Sequence, residues 1–456
     1  MRRVLMLTML LGAVACGREP AAAPPAAPPV EADAQAPASA CPTEPLPSSR
    51  APGTREVHES ASYWLDRIEP QRARATLVDP EAIGALNARF SEVVGAWRDI
   101  DAPAVGDRAT VDAAIADRMA YLAGELEAGR FVEGTEGAFA AAQAVVEKAS
   151  AVDHQRLVIE ETPLACIPVR GGLFRVPTDP DFDRNACASL HPGERIRVLA
   201  RGPGGSWLYV HAGHTVGWVD DASLTPRLKR EQIDAWTTPA RLVPLRDDVR
   251  TAGGVRLRLG TSVPLLRTLD DGFEVLVPGP EGPKTDRVSA DAPVSAGVPA
   301  LTKASLFEIA FSELNDPYGW GGRAGERDCS RLLRDLFATF GIELARHSGV
   351  QAKLGVRNVD VSDLVPEAKR AAIRAAGERG VVLLYMKGHI MLYLGPDGAR
   401  DYALSAISEY LEPCEADVAT TRRIDKVAVT TLALGKDTAR TSFLERIVTL
   451  VVFEPA

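Results

Sequence analysis

The clearest run of helical spacing along the chain follows a glycine-rich loop. Leu332, Leu333, Leu336, Phe337 and Phe340 recur at three- and four-residue intervals after Asp328-Cys329-Ser330, and Gly341 stands where a C-terminal cap belongs. The pattern predicts a helix with Cys329 in its first turn. Further on the period changes to that of strands. Val381 to Tyr385 is an apolar run, Met386-Lys387-Gly388 a turn, and His389 to Leu394 a second strand. Helical spacing also marks Glu81 to Trp97 (Ile83, Leu86, Phe90, Val94, Trp97), Thr110 to Leu126 (Val111, Ile115, Met119, Leu122, Leu126) and Ala138 to Ala151. Short β-rich runs between Gly and Pro turns fill 160–226 (Arg195 to Leu199, Trp207 to Val210, Gly217 to Val219). Similar runs fill 227–298 (Val243 to Leu245, Arg256 to Leu259, Val263 to Leu266, Phe273 to Val277). Strands near Val427 to Leu434 and Ile447 to Phe453 are expected to complete the C-terminal sheet.

At 456 residues the chain is too long for one core, and roughly 150 residues per domain predicts three. Net charge of −9 and 46% hydrophobic residues are those of an ordinary globular protein, and no basic stripe argues for nucleic acid. Met1-Arg2-Arg3 followed by the apolar Val4 to Ala15 is too short to span a bilayer and reads as an export signal. It ends Ala13-Val14-Ala15-Cys16, which resembles a lipoprotein signal-peptidase site with Cys16 as the lipidated residue. Gly17 comes next, with no aspartate for inner-membrane retention, so an outer-membrane lipoprotein facing the periplasm is expected. Residues 17–54, rich in Ala, Pro, Glu and Ser, cannot bury enough to fold and read as a disordered tether.

Chemistry concentrates between the glycine-rich loop and the His389 strand. Unpaired N–H groups and the helix dipole at a helix start stabilise a thiolate, so Cys329 is placed as a nucleophile of lowered pKa. His389, at the mouth of a strand, is the base a sheet would bring beside it. The run Tyr318-Gly319-Trp320-Gly321-Gly322, Asp328-Cys329-Ser330, Phe340-Gly341-Ile342, Arg346-His347-Ser348 with Gln351, and Gly388 to Gly395 resembles the NlpC-type family of bacterial cell-wall cysteine peptidases. These motifs occur in the family's order within about eighty residues.

The resemblance implies a papain-like α+β domain that cuts peptidoglycan stem peptides. Ser62-Tyr63-Trp64-Leu65 and the Asp79-Pro80-Glu81 helix start are similar to the helical cap of multi-domain members. Gly193 to Leu199, Trp207, Trp218 and Phe182 to Asn185 resemble the accompanying bacterial SH3-like barrel. The expected organisation is therefore signal and lipidation cysteine (1–16), tether (17–54), helical cap (55–159), two SH3-like barrels (160–226, 227–298) and catalytic domain (299–456). Kinship further implies that the first barrel borders the groove and limits substrates to short, trimmed stem peptides. The cap is read as structural.

Site roles carry over position by position. Cys329 attacks the scissile carbonyl and His389 moves the proton, while the Cys329 N–H and Tyr318 meet the oxyanion. Asp328 faces the free amine of a trimmed stem peptide; Ser330, Arg346 and Ser348 hold the substrate's carboxylate and backbone. Two positions depart from the family's pattern. Ser405 stands at the third catalytic position, where histidine is common, and His347 stands where an acidic residue is usual. They motivate a second reading, a catalytically weak or inactive wall-binding lipoprotein. An acyltransferase is disfavoured by Asp328 and Arg346, which suit peptide ends. Muropeptides and a membrane held by the lipid are the expected partners, with a monomeric chain and no cofactor. Of the six cysteines, Cys166 and Cys187 share a barrel, where an oxidising periplasm allows but spacing does not require a disulfide. Cys41 and Cys414 are left unpaired. No ligand spacing for zinc occurs, so no metal is expected.

Overall fold

The computed structural model of the chain describes residues 50–415 and 418–455. The export signal, Cys16 and the tether to residue 49 lie outside them. The stretch read as the tether's end is packed instead. Ala51 is buried in an apolar cluster with Ile407 and Leu432, and the Tyr402 hydroxyl donates to the Gly53 carbonyl at 3.0 Å. No helix among the described residues is long and apolar enough to cross a membrane.

The N-terminal part is helical, at Ile83–Ser91, Arg108–Glu127 and Thr135–Glu147. Asp107 caps the long helix, its carboxylate accepting from the Thr110 N–H at 2.9 Å. Val111 and Ile115 pack on Leu199, Tyr209 and Trp218, so this helix lies on the first sheet and Trp218 is core. The first predicted helix stops early. It ends at Ser91 in turns bonded three residues back (Val93 N–H to the Phe90 carbonyl, 3.0 Å), Gly95 follows four residues on at φ +80°, and Val94 is left 86% exposed rather than on a buried face.

The first sheet orders its strands Ser150–Leu157, Arg195–Arg201, Trp207–His211, Val216–Asp220, Thr162–Ala165 and Ala186–Leu190. It starts inside the stretch read as helical cap. Ser150–Leu157 hides its strand character behind Asp153, His154, Gln155 and Arg156, and pairing to Arg195–Arg201 defines it. Arg197 binds Asp153 at 2.7 Å across that pair. A second sheet has the order Gly282–Ser289, Gly272–Gly279, Val263–Leu269, Arg241–Pro244, Val294–Ala296. Cys166 and Cys187 form a disulfide with Cα atoms 5.1 Å apart. Cys414 is also disulfide-bonded, which corrects its assignment as unpaired.

The C-terminal sheet runs Arg357–Asp360, Ile447–Phe453, Val381–Met386, His389–Asp397, Arg400–Glu415, Val418–Thr431, every neighbour antiparallel. Alternate residues face two cores. Leu383, Ile390, Leu392 and Leu404 meet the Cys329–Thr339 helix, while Val382, Leu384, Met391 and Ala403 meet Pro366–Arg379. A sheet covered on both faces has little freedom to slide, which fixes the strand bearing His389 against the helix bearing Cys329.

A buried charge network joins this domain to both sheets before it. Asp335 is fully buried and accepts from Arg327 Nε at 2.8 Å, Arg331 Nε at 2.8 Å and Arg334 Nη1 at 2.9 Å. Arg331 also reaches Glu194 (3.1 Å) and the Ser189 carbonyl (2.6 Å) in the first sheet unit. Arg327 also reaches Asp247 (2.7 Å) in the second and Glu313 (2.8 Å). Carboxylate oxygens of Asp247, Glu313 and Asp316 lie within 4.8 Å of one another. The Arg327 guanidinium donates to the first two, and burial raises Glu313 to about 8.

Candidate active site

Cys329 is the first residue of its helix, as the spacing predicts, and Asp328 is the N-cap. The loop before it is pressed on the first sheet. A Cβ on Gly321 would stand 2.3 Å from the Ala186 carbonyl oxygen, and one on Gly322 2.5 Å from the Ser189 nitrogen, both at positive φ. Only glycine lets the backbone approach that closely. Trp320 adds a hydrogen bond from Nε1 to the Asp183 carbonyl at 2.9 Å, and its ring meets Phe182 edge-on at 5.2 Å. The nucleophile's loop and the first sheet unit are thus one surface.

His389 opens its strand after the Lys387-Gly388 turn, and its Nε2 lies 3.1 Å from Ser405 Oγ. Ser405 is fully buried on the neighbouring strand. With Nε2 engaged, Nδ1 is the nitrogen left to exchange a proton with Cys329; both residues line the same groove. The expectation of a lowered thiol pKa is corrected. Burial, with the Asp328 carboxylate beside it, pushes the Cys329 thiol up to about 12, outweighing the Ile390 and Ser330 backbone N–H groups and Arg346. Burial, helped by the Arg446 charge, pushes His389 down to about 4. Thiol and imidazole are both neutral in the free site at pH 7.

Asp328 and Arg346 form a buried two-pronged pair, Nη2 to Oδ2 at 2.6 Å and Nη1 to Oδ1 at 3.0 Å. Despite desolvation, Arg346 keeps Asp328 below the usual carboxylate range, and so charged. Its oxygens also accept from the Gly321 N–H (3.1 Å), the Arg331 N–H (3.0 Å) and Ser330 Oγ (3.1 Å). Arg346 in turn holds Ser330 Oγ at 3.0 Å. This triad is a prebuilt cluster rather than a set of free ligands. Ser348 begins the next short helix, with exposed His347 before it, and both line the groove with Tyr318. Burial, with Asp328 and Cys329 nearby, keeps the Tyr318 phenol protonated and able to donate.

The groove, about 450 Å³, takes walls from parts the sequence did not assign to chemistry. The cap supplies Arg118, Tyr121 and Leu122 from its long helix, so it is not merely structural. The first sheet unit supplies the Cys166–Cys187 disulfide, Phe182 and Arg184. The C-terminal segment supplies Arg440, Phe443 and Arg446, and Glu409 adds a second carboxylate on the Ser405 strand. Phe182 and Arg184 were legible only as part of a barrel motif. For the others no local signal existed, since an arginine or tyrosine on a helix's polar face looks like any solvated residue.

Residues 315–400 match the model of the NlpC/P60 family, and residues 173–220 that of the SH3 domain of SH3b1 type. No curated protein matches the chain. Among solved structures it is similar to an NlpC/P60 endopeptidase from Photobacterium damselae subsp. piscicida. The TM-score is 0.69 at 15% identity, covering 86% of this chain and 97% of that one. An NlpC/P60 family protein from Bacillus cereus ATCC 10987 aligns at 16% identity over 66% of this chain and 100% of that one. Its TM-score of 0.44 gives the likeness no weight. At such identities the first likeness speaks for fold alone, and the two domain matches speak for kinship. The chain carries an SH3 domain of SH3b1 type and, after it, an NlpC/P60 domain that holds Cys329 and His389.

Proposed function

We propose that the protein is a cysteine endopeptidase of papain-like fold that hydrolyses peptidoglycan stem peptides at the γ-D-glutamyl–diamino acid bond. In this reading the 227–298 unit is a second SH3-like barrel. The chain acts as a monomer held to the outer membrane by lipid on Cys16, facing the periplasm. The observation that carries the reading is the pairing of His389 Nε2 with Ser405 Oγ at 3.1 Å in a groove that also holds Cys329, the free thiol among the described residues.

The Cys329 sulfur bonds to the scissile carbonyl carbon as its proton passes to His389 Nδ1. The Cys329 N–H and the Tyr318 hydroxyl meet the oxyanion. Collapse breaks the C–N bond while His389 returns the proton to the leaving amine. Water, giving a proton to His389, then attacks the thioester and releases the acid, and the sulfur recovers its proton. Because both groups begin neutral, charge separates only with substrate bound and water excluded.

The test uses L-Ala-γ-D-Glu-diaminopimelate peptides, free and N-acetylated, with a soluble chain begun at residue 17 so that Ala51 and Gly53 keep their places, read by mass spectrometry. Cleavage by the wild type and none by Cys329→Ala is expected. Preference for the free amine supports the Asp328 role, and equal cleavage reduces Asp328 to holding Arg346 and the loop. A second reading draws on the raised thiol and the uncharged Ser405: a wall-binding lipoprotein with little or no turnover. No cleavage of either peptide by a folded wild type would favour it.

A further inference from the structure

His389 returns its proton to the leaving amine, so the leaving half of the substrate passes over His389. Whatever stands just beyond that ring meets the leaving half first. Phe443 is there, its ring centroid 5.8 Å from the imidazole, and the Arg446 guanidinium lies against the far ring, 5.7 Å from the Phe443 centroid. Both line the groove.

Arg446 is unlike most arginines of this site. Arg346 is matched by Asp328 and Arg440 approaches Glu409 at 3.9 Å. The Arg446 side chain makes no hydrogen bond or ion pair with any described residue; its backbone N–H alone closes a turn to the Ser442 carbonyl at 3.1 Å. It is half-buried, and the charge in the groove that acts on it, Arg440, is of like sign. Holding an unmatched guanidinium out of water, beside another cation and a histidine that must become cationic, is unfavourable on its own account. The arrangement becomes favourable when an anion arrives. Arg118 and Arg184 also lack a carboxylate, but they stand on the walls from the cap and first sheet unit, where Arg184 covers the Trp320 ring at 4.8 Å.

We propose that Arg446, with Phe443 as its platform, is the subsite for a carboxylate on the leaving half of the substrate, so that the enzyme selects stem peptides whose leaving half is an anion. The inference rests on the peptidase reading and adds the substrate class to it. A carboxylate could come from the side-chain end of diaminopimelate or from the C-terminus of a trimmed tripeptide, and both present the same group. Binding it would also serve the chemistry. The charges facing His389 are Arg446, which disfavours imidazolium, and Asp328, which favours it. Neutralising Arg446 with substrate lifts the first while the second persists.

The experiment compares L-Ala-γ-D-Glu-diaminopimelate with its side-chain carboxamide, its C-terminal carboxamide and its lysine analogue, on wild type, Arg446→Gln and Arg446→Lys. For wild type, kcat/KM should fall roughly 10- to 100-fold when the recognised carboxylate is amidated, the worth of a charge-assisted hydrogen bond. Whichever carboxamide is penalised identifies the source. Arg446→Gln should lose that discrimination, and Arg446→Lys should keep part of it. Independently of turnover, NMR titration should find His389 of free Arg446→Gln titrating at higher pH than in wild type. Wild type cutting all four peptides alike, or Arg446→Gln keeping the preference, would overturn the subsite and leave the peptidase standing. No cleavage of any peptide would overturn both.

Discussion

Ser405→Ala tests the catalytic reading most directly. Ser405 is fully buried and its hydroxyl lies 3.1 Å from His389 Nε2, with no charge of its own. In the free site the imidazole is neutral, and a neutral hydrogen bond is worth about 1 kcal/mol. Once Cys329 has given up its proton the ring is cationic, and the same bond is worth about 1.5–3 kcal/mol. Only the difference accelerates the reaction, because the ground-state share lowers both levels alike. That difference, about 1 kcal/mol, predicts a roughly fivefold loss of kcat with KM little changed. Stopped assays on a stem tripeptide, with circular dichroism to show that the variant is folded, would measure it. A fall of a thousandfold would mean that Ser405 does more than accept one hydrogen bond. No change at all would mean that His389 is oriented by its strand and Phe443 alone, and Ser405 would leave the catalytic set.

Two further predictions concern the frame of the site. Asp335→Asn leaves Arg327, Arg331 and Arg334 without the carboxylate they share, and Arg334 then keeps only Glu194, at 3.7 Å. A broken buried pair costs about 3–5 kcal/mol, so calorimetry should find the main transition lowered by roughly 10 °C; a shift under about 2 °C, the worth of about 1 kcal/mol or less on the same scaling, would refute the network's role. His191, fully buried, is pushed down to about 3 by burial and the Arg331 charge. Its unfolded pKa is near 6.5, so from about pH 6.5 downwards the unfolded chain takes up a proton that the fold refuses, and stability is lost as pH falls. Buried acids that burial raises, such as Glu194 and Glu343, act in the opposite sense, so the contrast with His191→Gln is the measure. The variant should lose less thermal stability than wild type between pH 7 and pH 5.

The helix starting at Cys329 and the hairpin presenting His389 were legible because each is local. Asp328 caps, Leu332 to Phe340 repeat, and Lys387-Gly388 turns, with Gly388 at φ +86°. The motif around Arg346 was equally plain in kind, though not its bond to Asp328. Features set by distant packing escaped. The thiol pKa depends on burial under strands fifty and more residues away, which reverses the sign that a helix start alone implies. Ser150–Leu157 became a strand through its partner rather than its own alternation. Cap residues such as Arg118 and Tyr121 join the groove only because Val111 and Ile115 seat their helix on the first sheet.

These placements make the active site inseparable from the domains before it. Gly321 and Gly322 lie against Ala186 and Ser189, so the loop that positions Cys329 is shaped on the first sheet unit. Arg331, in the same first turn as the nucleophile, donates to Glu194 and the Ser189 carbonyl, and Arg327, two residues before Cys329, to Asp247. A catalytic domain cut free near residue 299 would therefore expose loop backbone and leave two guanidinium groups short of carboxylates at the very turn that holds the thiol. The same contacts close the groove on one side, which fits a substrate that is short and already trimmed. Specificity and the geometry of the nucleophile then rest on one set of contacts, so substitutions in the first sheet unit should alter kcat as well as substrate choice.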